Sequence, residues 1–214
     1  MVEALLLGSI GILAETSEIQ RKAYNQSFEE HGLDWYWNIA NYCEMLKQPG
    51  GKKRLVDFGN GQIPSDMVDS IHHRKEELFE AELQKGLTPR RGVVECIHAC
   101  KDRGLKIGFV TTTSQNNIDA LSDALAEHLD FNLFDLITTK QDVATAKPDS
   151  AIYHYALSHL GITADKTIAV EDTEANQQAA MEQQILCYLF AGEYARTVHN
   201  FNAVKSLEAI SNRF

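Results

Sequence analysis

Apolar residues along the chain follow two rhythms, and the boundary between them sets the expected architecture. Ala4–Leu7 is an unbroken apolar run inside LLLGSIGIL, a stretch with no charge before Glu15. Such a run predicts a strand buried on both faces and then a turn. From Ile19 the spacing becomes helical. Ile19, Ala23, Tyr24 and Phe28 share one stripe, opened by Ser17-Glu18-Ile19-Gln20 at capping-box spacing and stopped by Gly32. WYWNIANYCEMLKQPGGKKR follows, with Trp35 and Trp37 read as core residues and a flexible Gly-Gly turn near its end. Ser65 is expected to cap a long amphipathic helix carrying Met67, Val68, Ile71, Leu78, Phe79 and Leu83 and ending at Gly86. Residues 15–87 therefore predict helices without a clear strand.

Beyond Pro89 strands and helices alternate. Val93, Val94, Ile97 and Cys100 predict a helix stopped by Gly104, and KIGFVT a strand; Ser114 caps a helix holding Ile118, Leu121 and Leu125. LITT, TIAV and ILCYLF read as strands, separated by helices in DSAIYHYALSHLG and EANQQAAMEQQ. Alternation of this kind predicts a parallel sheet flanked by helices. The expected fold is α/β: a Rossmann-like parallel core, residues 1–14 and 88–214, with an α-helical cap, residues 15–87, inserted after the first strand.

Charge narrows the partners. Lys and Arg number 20 against 30 Asp and Glu, a net charge of −10. That sign is a poor match for nucleic acid or an anionic membrane, and no apolar stretch is long enough to span a bilayer. Cys43, Cys96, Cys100 and Cys187 form no CxxC pair, which fits a reducing cytoplasm. Cys96 and Cys100 share a helix face and read as small core residues. Glu3 stands where a secretory leader has basic residues, so export is not expected. The chain is expected to be a monomer.

In an open parallel sheet, ligands bind beyond the carboxyl ends of the strands. The residues expected there are Gly8 to Ile10, Thr111 to Ser114, Lys147, and the pair Glu171-Asp172. Each has a plain alternative. Ser114 and Asp172 can be simple helix caps, and Lys147 in ATAKPDS can be a solvated loop lysine. Lys52, Lys53 and Arg54 in PGGKKR can be a solvated run. Taken together they suggest phosphoryl chemistry. Hydroxyls and amides at a helix start hold an anion, a lysine balances it, and paired carboxylates suit Mg²⁺. His72 and His73, adjacent on a helix, do not face one another.

With those residues in view, the sequence resembles the haloacid dehalogenase superfamily of phosphohydrolases, and within it the CbbY branch beside β-phosphoglucomutase. The likeness runs through LAETSEIQRKAYNQSF, GLDWYW, PGGKKR, RGVVECI, FVTTTSQNNIDAL, KPDSAIY and IAVEDTEANQQAA in order. It implies that Thr111 and Thr112 meet a phosphate, that Lys147 balances its charge, and that Glu171 and Asp172 serve Mg²⁺. It implies that Gly50, Gly51, Lys52 and Arg54 meet the far end of a small phosphosugar, a class that includes sugar bisphosphates such as xylulose 1,5-bisphosphate.

The first motif of that superfamily, Asp-x-Asp-Gly, falls on Gly8-Ser9-Ile10-Gly11. Gly8 stands at the nucleophile position and Ile10 at that of the acid/base, so neither carboxylate is present. Ser17, Gln20, Ala151 and Asn176 also depart from the usual residues. Without a covalent nucleophile the reaction loses its two-step route, and without the acid/base partner a further ~10²- to 10⁴-fold. Mg²⁺ is expected to be weakened or absent. The expected function is an impaired CbbY-type phosphatase homologue that binds phosphate or a small phosphosugar. An active phosphohydrolase or mutase using another nucleophile, such as water held by Asp172, is one alternative; a structural or protein-interaction role is another.

Overall fold

The structure is a computed structural model that describes residues 1–47, 50–195 and 202–214. Five strands, β1 Ala4–Leu7, β2 Lys106–Phe109, β3 Leu136–Ile137, β4 Thr167–Glu171 and β5 Leu186–Leu189, form one sheet in the order β3-β2-β1-β4-β5. Every pairing is parallel. β1 lies at the centre, its register pairing Leu7 with Phe109 on one side and Val170 on the other.

Alternation along the strands divides the core in two. Leu5, Leu7, Ile107, Phe109, Ile168 and Val170 pack on one face, while Leu6, Ala169 and Cys187 pack on the other. All four residues of β1 are fully buried, which is why its sequence reads as a continuous apolar run rather than an alternating one. Helices cover both faces. They are α1 Ile10–Leu13, α2 Ser17–Glu30, α3 Ile39–Met45, α4 Gly51–Phe58, α5 Ser65–Leu83, α6 Val93–Asp102, α7 Gln115–Leu125, α8 Ala151–Leu160, α9 Glu174–Glu182 and α10 Glu208–Ser211. Cys96 and Cys100 are buried on α6, in the core.

α2 to α5 fall between β1 and β2 in the chain and have an apolar cluster of their own. Tyr24, Phe28, Trp37, Tyr42, Leu55, Val68 and Ile71 form it, with Trp35 packed against it. Trp37 is fully buried, its ring 4.5 Å from that of Tyr24 and 4.9 Å from that of Phe28. The Arg21 guanidinium donates to the Trp37 carbonyl at 2.7 Å. This helical insert is tied to the rest of the chain by two carboxylates. Glu15 accepts from the Glu193 amide at 2.7 Å, and Glu18 from the Tyr194 hydroxyl at 2.6 Å.

Several local expectations change. The turn expected after β1 takes the form of the short helix α1. The α2 cap position is Thr16, not Ser17; the Glu15 carboxylate takes the Ser17 amide at 3.0 Å, so that donor is satisfied from outside the helix. Pro64, with φ −60°, precedes α5 and displaces Ser65 into its first turn. LITT contributes only Leu136–Ile137 to the sheet. The Gly-Gly segment is a helix entry, with Gly50 at φ 99° and Gly51 opening α4; Pro49 of that segment lies outside the described residues.

Candidate functional site

Strand order reverses at the centre of the sheet. The chain passes from β1 outward to β2 and β3, then returns beside β1 as β4 and continues to β5. The crevice at such a switch point opens beyond the ends of β1 and β4. Here it is a cavity of about 450 Å³ between the strand ends and the helical insert.

Register places Gly8 next to Glu171. The Gly8 amide donates to the Val170 carbonyl at 2.9 Å, one residue short of the end of β4. The Glu171 side chain is fully buried. It turns away from the crevice, and its Oε1 accepts from both the Lys147 ammonium and the Tyr153 hydroxyl. Lys147 Nζ also donates to the Val110 carbonyl at 2.6 Å. A Cβ on Gly8 would overlap Glu171 Oε1 and Cδ and stand 2.9 Å from Oε2. The Glu171 carboxylate therefore occupies room that exists because Gly8 has no side chain.

Two expectations are corrected by this arrangement. Lys147 is not a solvated loop residue, since its side chain is 6% exposed; its ammonium donates to Glu171, and the residue also lines the crevice. Glu171 does not face the crevice with Asp172. Burial raises the Glu171 carboxyl from an ordinary 4.5 to about 7, with Asp172 adding repulsion and Lys147 and Tyr153 opposing the shift.

Asp172 does line the crevice. Its Oδ2 lies where a Cβ on Gly11 would be, and Asn176 Nδ2 approaches its Oδ1 at 3.5 Å. It is not the cap of α9, because Thr173 takes the Asn176 amide at 3.3 Å. The expected two-carboxylate Mg²⁺ site is thus not assembled. Gly8 brings no oxygen side chain, Glu171 is engaged with Lys147, and Asp172 alone of the expected ligands points into the cavity. The arrangement does not fit that metal site.

Thr111, Thr112, Thr113 and Ser114 come together at the start of α7 and line the crevice. Thr111 is buried: its amide donates to Thr138 Oγ1 at 2.9 Å, and its Oγ1 accepts from the Thr113 amide at 3.2 Å. Thr112 Oγ1 accepts from the Lys147 amide at 3.2 Å. Ser114 both caps α7 through the Asn117 amide at 3.3 Å and lines the cavity, so its two readings coexist. Ser9, at the tip of β1, sits at φ 130°, a conformation costing about 1–3 kcal/mol for a residue with a side chain. Its Oγ is buried without a hydrogen-bond partner, and Ile10 lies beside it in the cavity wall.

From the insert, Gly50, Gly51 and Arg54 reach the crevice, whereas Lys52 does not. Lys52 pairs with Asp69 at 2.7 Å on an exposed surface. Gly51 has a steric requirement: a Cβ there would overlap the Tyr24 hydroxyl and stand 2.8 Å from His72 Nε2. Sequence reasoning missed His72, Lys75, Lys140 and Asn117, all of which line the cavity. Lys75 left a signal, since it falls in the buried stripe Val68, Ile71, Lys75, Phe79 and Leu83 of α5, where a charge is out of place.

Two outcomes check this geometry. Gly8→Ala is expected to cost about 3 kcal/mol or more, because the new methyl expels Glu171 from a buried ion pair. In a urea-denaturation cycle Gly8→Ala and Glu171→Ala are then coupled, the second substitution relieving the first by about 1–3 kcal/mol; additive costs would contradict the overlap. The second outcome concerns pH. Between 4.5 and about 7 the folded chain keeps a Glu171 proton that the unfolded chain releases. That group's contribution therefore falls as pH rises through this window. Glu171→Gln should flatten this part of the stability–pH curve, and an unchanged slope would reject the assignment.

Comparison with known proteins adds to this geometry. The haloacid dehalogenase-like hydrolase family matches residues 11–189. Protein CbbY of Cereibacter sphaeroides is 35% identical over 201 residues, covering 92% of this chain and 87% of that protein. Among solved structures, CbbY from Rhodobacter sphaeroides in complex with phosphate superposes with a TM-score of 0.85 at 34% identity, covering 96% of this chain and 95% of that one. A mutant of CbbY from the same organism in complex with xylulose 1,5-bisphosphate gives 0.86 at 33% identity, with the same coverage of both chains. The β-phosphoglucomutase of Clostridium difficile, at 18% identity and a TM-score of 0.78, shares the fold across 100% of this chain and 97% of that one. The chain belongs to the haloacid dehalogenase-like hydrolase family, in its CbbY branch.

Proposed function

We propose that this chain binds phosphate or a small phosphorylated sugar in the crevice beneath the helical insert, without the family's aspartyl-phosphate turnover. One observation carries the reading: the buried Glu171 carboxylate lies beside the side-chain-less Gly8, held by Lys147 and Tyr153. Where relatives of this type would place an attacking carboxylate, nothing projects into the cavity. The Ile10 side chain has no proton to give to a leaving group. Glu171 does not substitute, because it is shut away from the crevice and its oxygen is already shared by two donors.

Anion binding has separate support. The start of α7 offers free amides and the hydroxyls of Thr111 to Ser114, a setting in which a helix N-terminus favours negative charge. Ser9 Oγ, buried and unpartnered, gains a ligand oxygen as its missing partner. Lys140 lines the same cavity, its amide fixed to the Thr113 carbonyl at 2.9 Å, and brings a cation near the hydroxyls. CbbY relatives bound to phosphate and to xylulose 1,5-bisphosphate point to the same ligand class.

Titration calorimetry with inorganic phosphate and with xylulose 1,5-bisphosphate, each in Mg²⁺ and in EDTA, tests the proposal. Binding of similar strength in both buffers, with no phosphate release from the bisphosphate, is expected. The double reversion Gly8→Asp with Ile10→Asp should restore Mg²⁺-dependent release, since the new Asp forces Glu171 out toward the crevice. Absence of binding in both buffers would reject the proposal. Mg²⁺-dependent release by the unaltered chain that disappears in Asp172→Ala would replace it with hydrolysis by water held at Asp172.

A further inference from the structure

Residues 190–195 leave β5 and run across to the helical insert, rooted at one arginine. The Arg90 guanidinium donates to the Phe190 and Ala191 carbonyls at 2.9 and 2.6 Å, and to the Gly11 carbonyl at 2.5 Å. It also lies 3.5 Å from the centre of the Phe190 ring, and the Arg90 amide donates to the Leu13 carbonyl at 2.8 Å. Arg90 thus fastens the start of the segment to the chain that follows β1. Carbonyl oxygens shared by one guanidinium give that root a fixed geometry.

Beyond the root the segment meets the insert twice. One Glu15 oxygen takes the Glu193 amide and the other takes the Ser17 amide, so a single carboxylate bridges the segment and the start of α2. The Tyr194 hydroxyl donates to Glu18 Oε2. Hydrogen bonds from Arg21, and to a smaller extent from Tyr194, hold the Glu18 carboxyl near 2, so the acceptor stays charged. The Tyr194 ring packs against the insert's own apolar cluster, 6.3 Å from the Tyr42 ring. An amphipathic ring of this kind docks by its apolar body and is oriented by its hydroxyl. The segment also flanks the crevice. A cavity of about 150 Å³ is lined by its Gly192 and Ala195 together with Ser17, Asp172 and Thr173, three residues that line the crevice as well.

We propose that residues 190–195 are a strap holding the insert over the crevice, and that Tyr194 is its latch: a ligand enters and leaves when the Tyr194–Glu18 hydrogen bond opens. The contact is one ring and two hydrogen bonds, small enough to open without unfolding the sheet. It acts on the start of α2, so release frees the insert while the bonds at Arg90 stay in place. The effect on ligand exchange rests on the binding proposed above; the latch itself does not.

Two readouts on the whole chain test it, and the first needs no ligand. By native-state hydrogen exchange, the Ser17 and Glu193 amides, both held by Glu15, should open at one shared free energy. That energy should lie below the one for the Val110 amide, which donates to the Leu7 carbonyl in the sheet. Tyr194→Phe keeps the ring and loses the hydroxyl. It should speed exchange of both amides by roughly ten- to a hundredfold, the scale of one hydrogen bond to a charged group. The second readout is stopped-flow binding of xylulose 1,5-bisphosphate, where Tyr194→Phe should raise association and dissociation rates by the same factor and leave Kd unchanged. A lower melting temperature with both rates unmoved would make Tyr194 merely structural, and a shifted Kd would make it a ligand contact; either would overturn the proposal. So would Ser17 and Glu193 amides that exchange independently of one another or of Tyr194. If the bisphosphate does not bind while Tyr194→Phe still speeds both amides, the latch stands and the binding reading falls.

Discussion

A single buried carboxylate governs the crevice. Glu171 ends β4 next to Gly8 at the tip of β1, one residue beyond the Leu7–Val170 pair. A carboxylate with no exposure to water must find donors or lose its charge. Here it finds two, Lys147 and Tyr153, at the site where a side chain on residue 8 would otherwise stand. The consequences spread outward. Lys147 is paired with Glu171, Asp172 is left as the acid of its pair that faces the cavity, and Lys140, Arg54 and Lys75 line the cavity alongside Lys147.

Under the proposed function, this exchanges one kind of site for another. A nucleophile, an acid/base partner and a paired-carboxylate cation site together make a phosphoryl-transfer centre. Helix-terminal amides, hydroxyls and cations suit anion binding, which is the reading proposed for this crevice. The surrounding frame is that of the CbbY branch. Its cavity, of about 450 Å³, is large enough for a small sugar carrying phosphate.

The fold was largely legible in the sequence because its signals are local and repeated. The apolar runs of β1, β4 and β5 and the stripes of α2, α5 and α7 report burial residue by residue. Much of the site was legible too: Thr111, Thr112, Gly50, Gly51, Arg54 and Asp172 all reach the crevice. The exceptions have a common cause. That Lys147 and Glu171 bind one another, and that Lys52 turns outward to Asp69, depends on contacts between residues 24 and 17 positions apart, which no periodicity encodes. Ser17 and Asp172 each lie one residue from the actual cap, Thr16 and Thr173, a shift that residue type alone does not resolve. Lys75 announced itself as a charge within an apolar stripe, a signal that needed only to be weighed.

Whether Glu171 serves a metal or the protein interior is the question that separates the two kinds of site, and Mn²⁺ is the direct probe. Water-proton relaxation of Mn²⁺ titrated with the unaltered chain reports bound ion independently of any turnover. With Glu171 turned inward, no stoichiometric site should appear, and Glu171→Gln should change nothing in the titration. One tightly bound Mn²⁺ per chain, displaced by Mg²⁺ and lost in Glu171→Gln, would contradict the account.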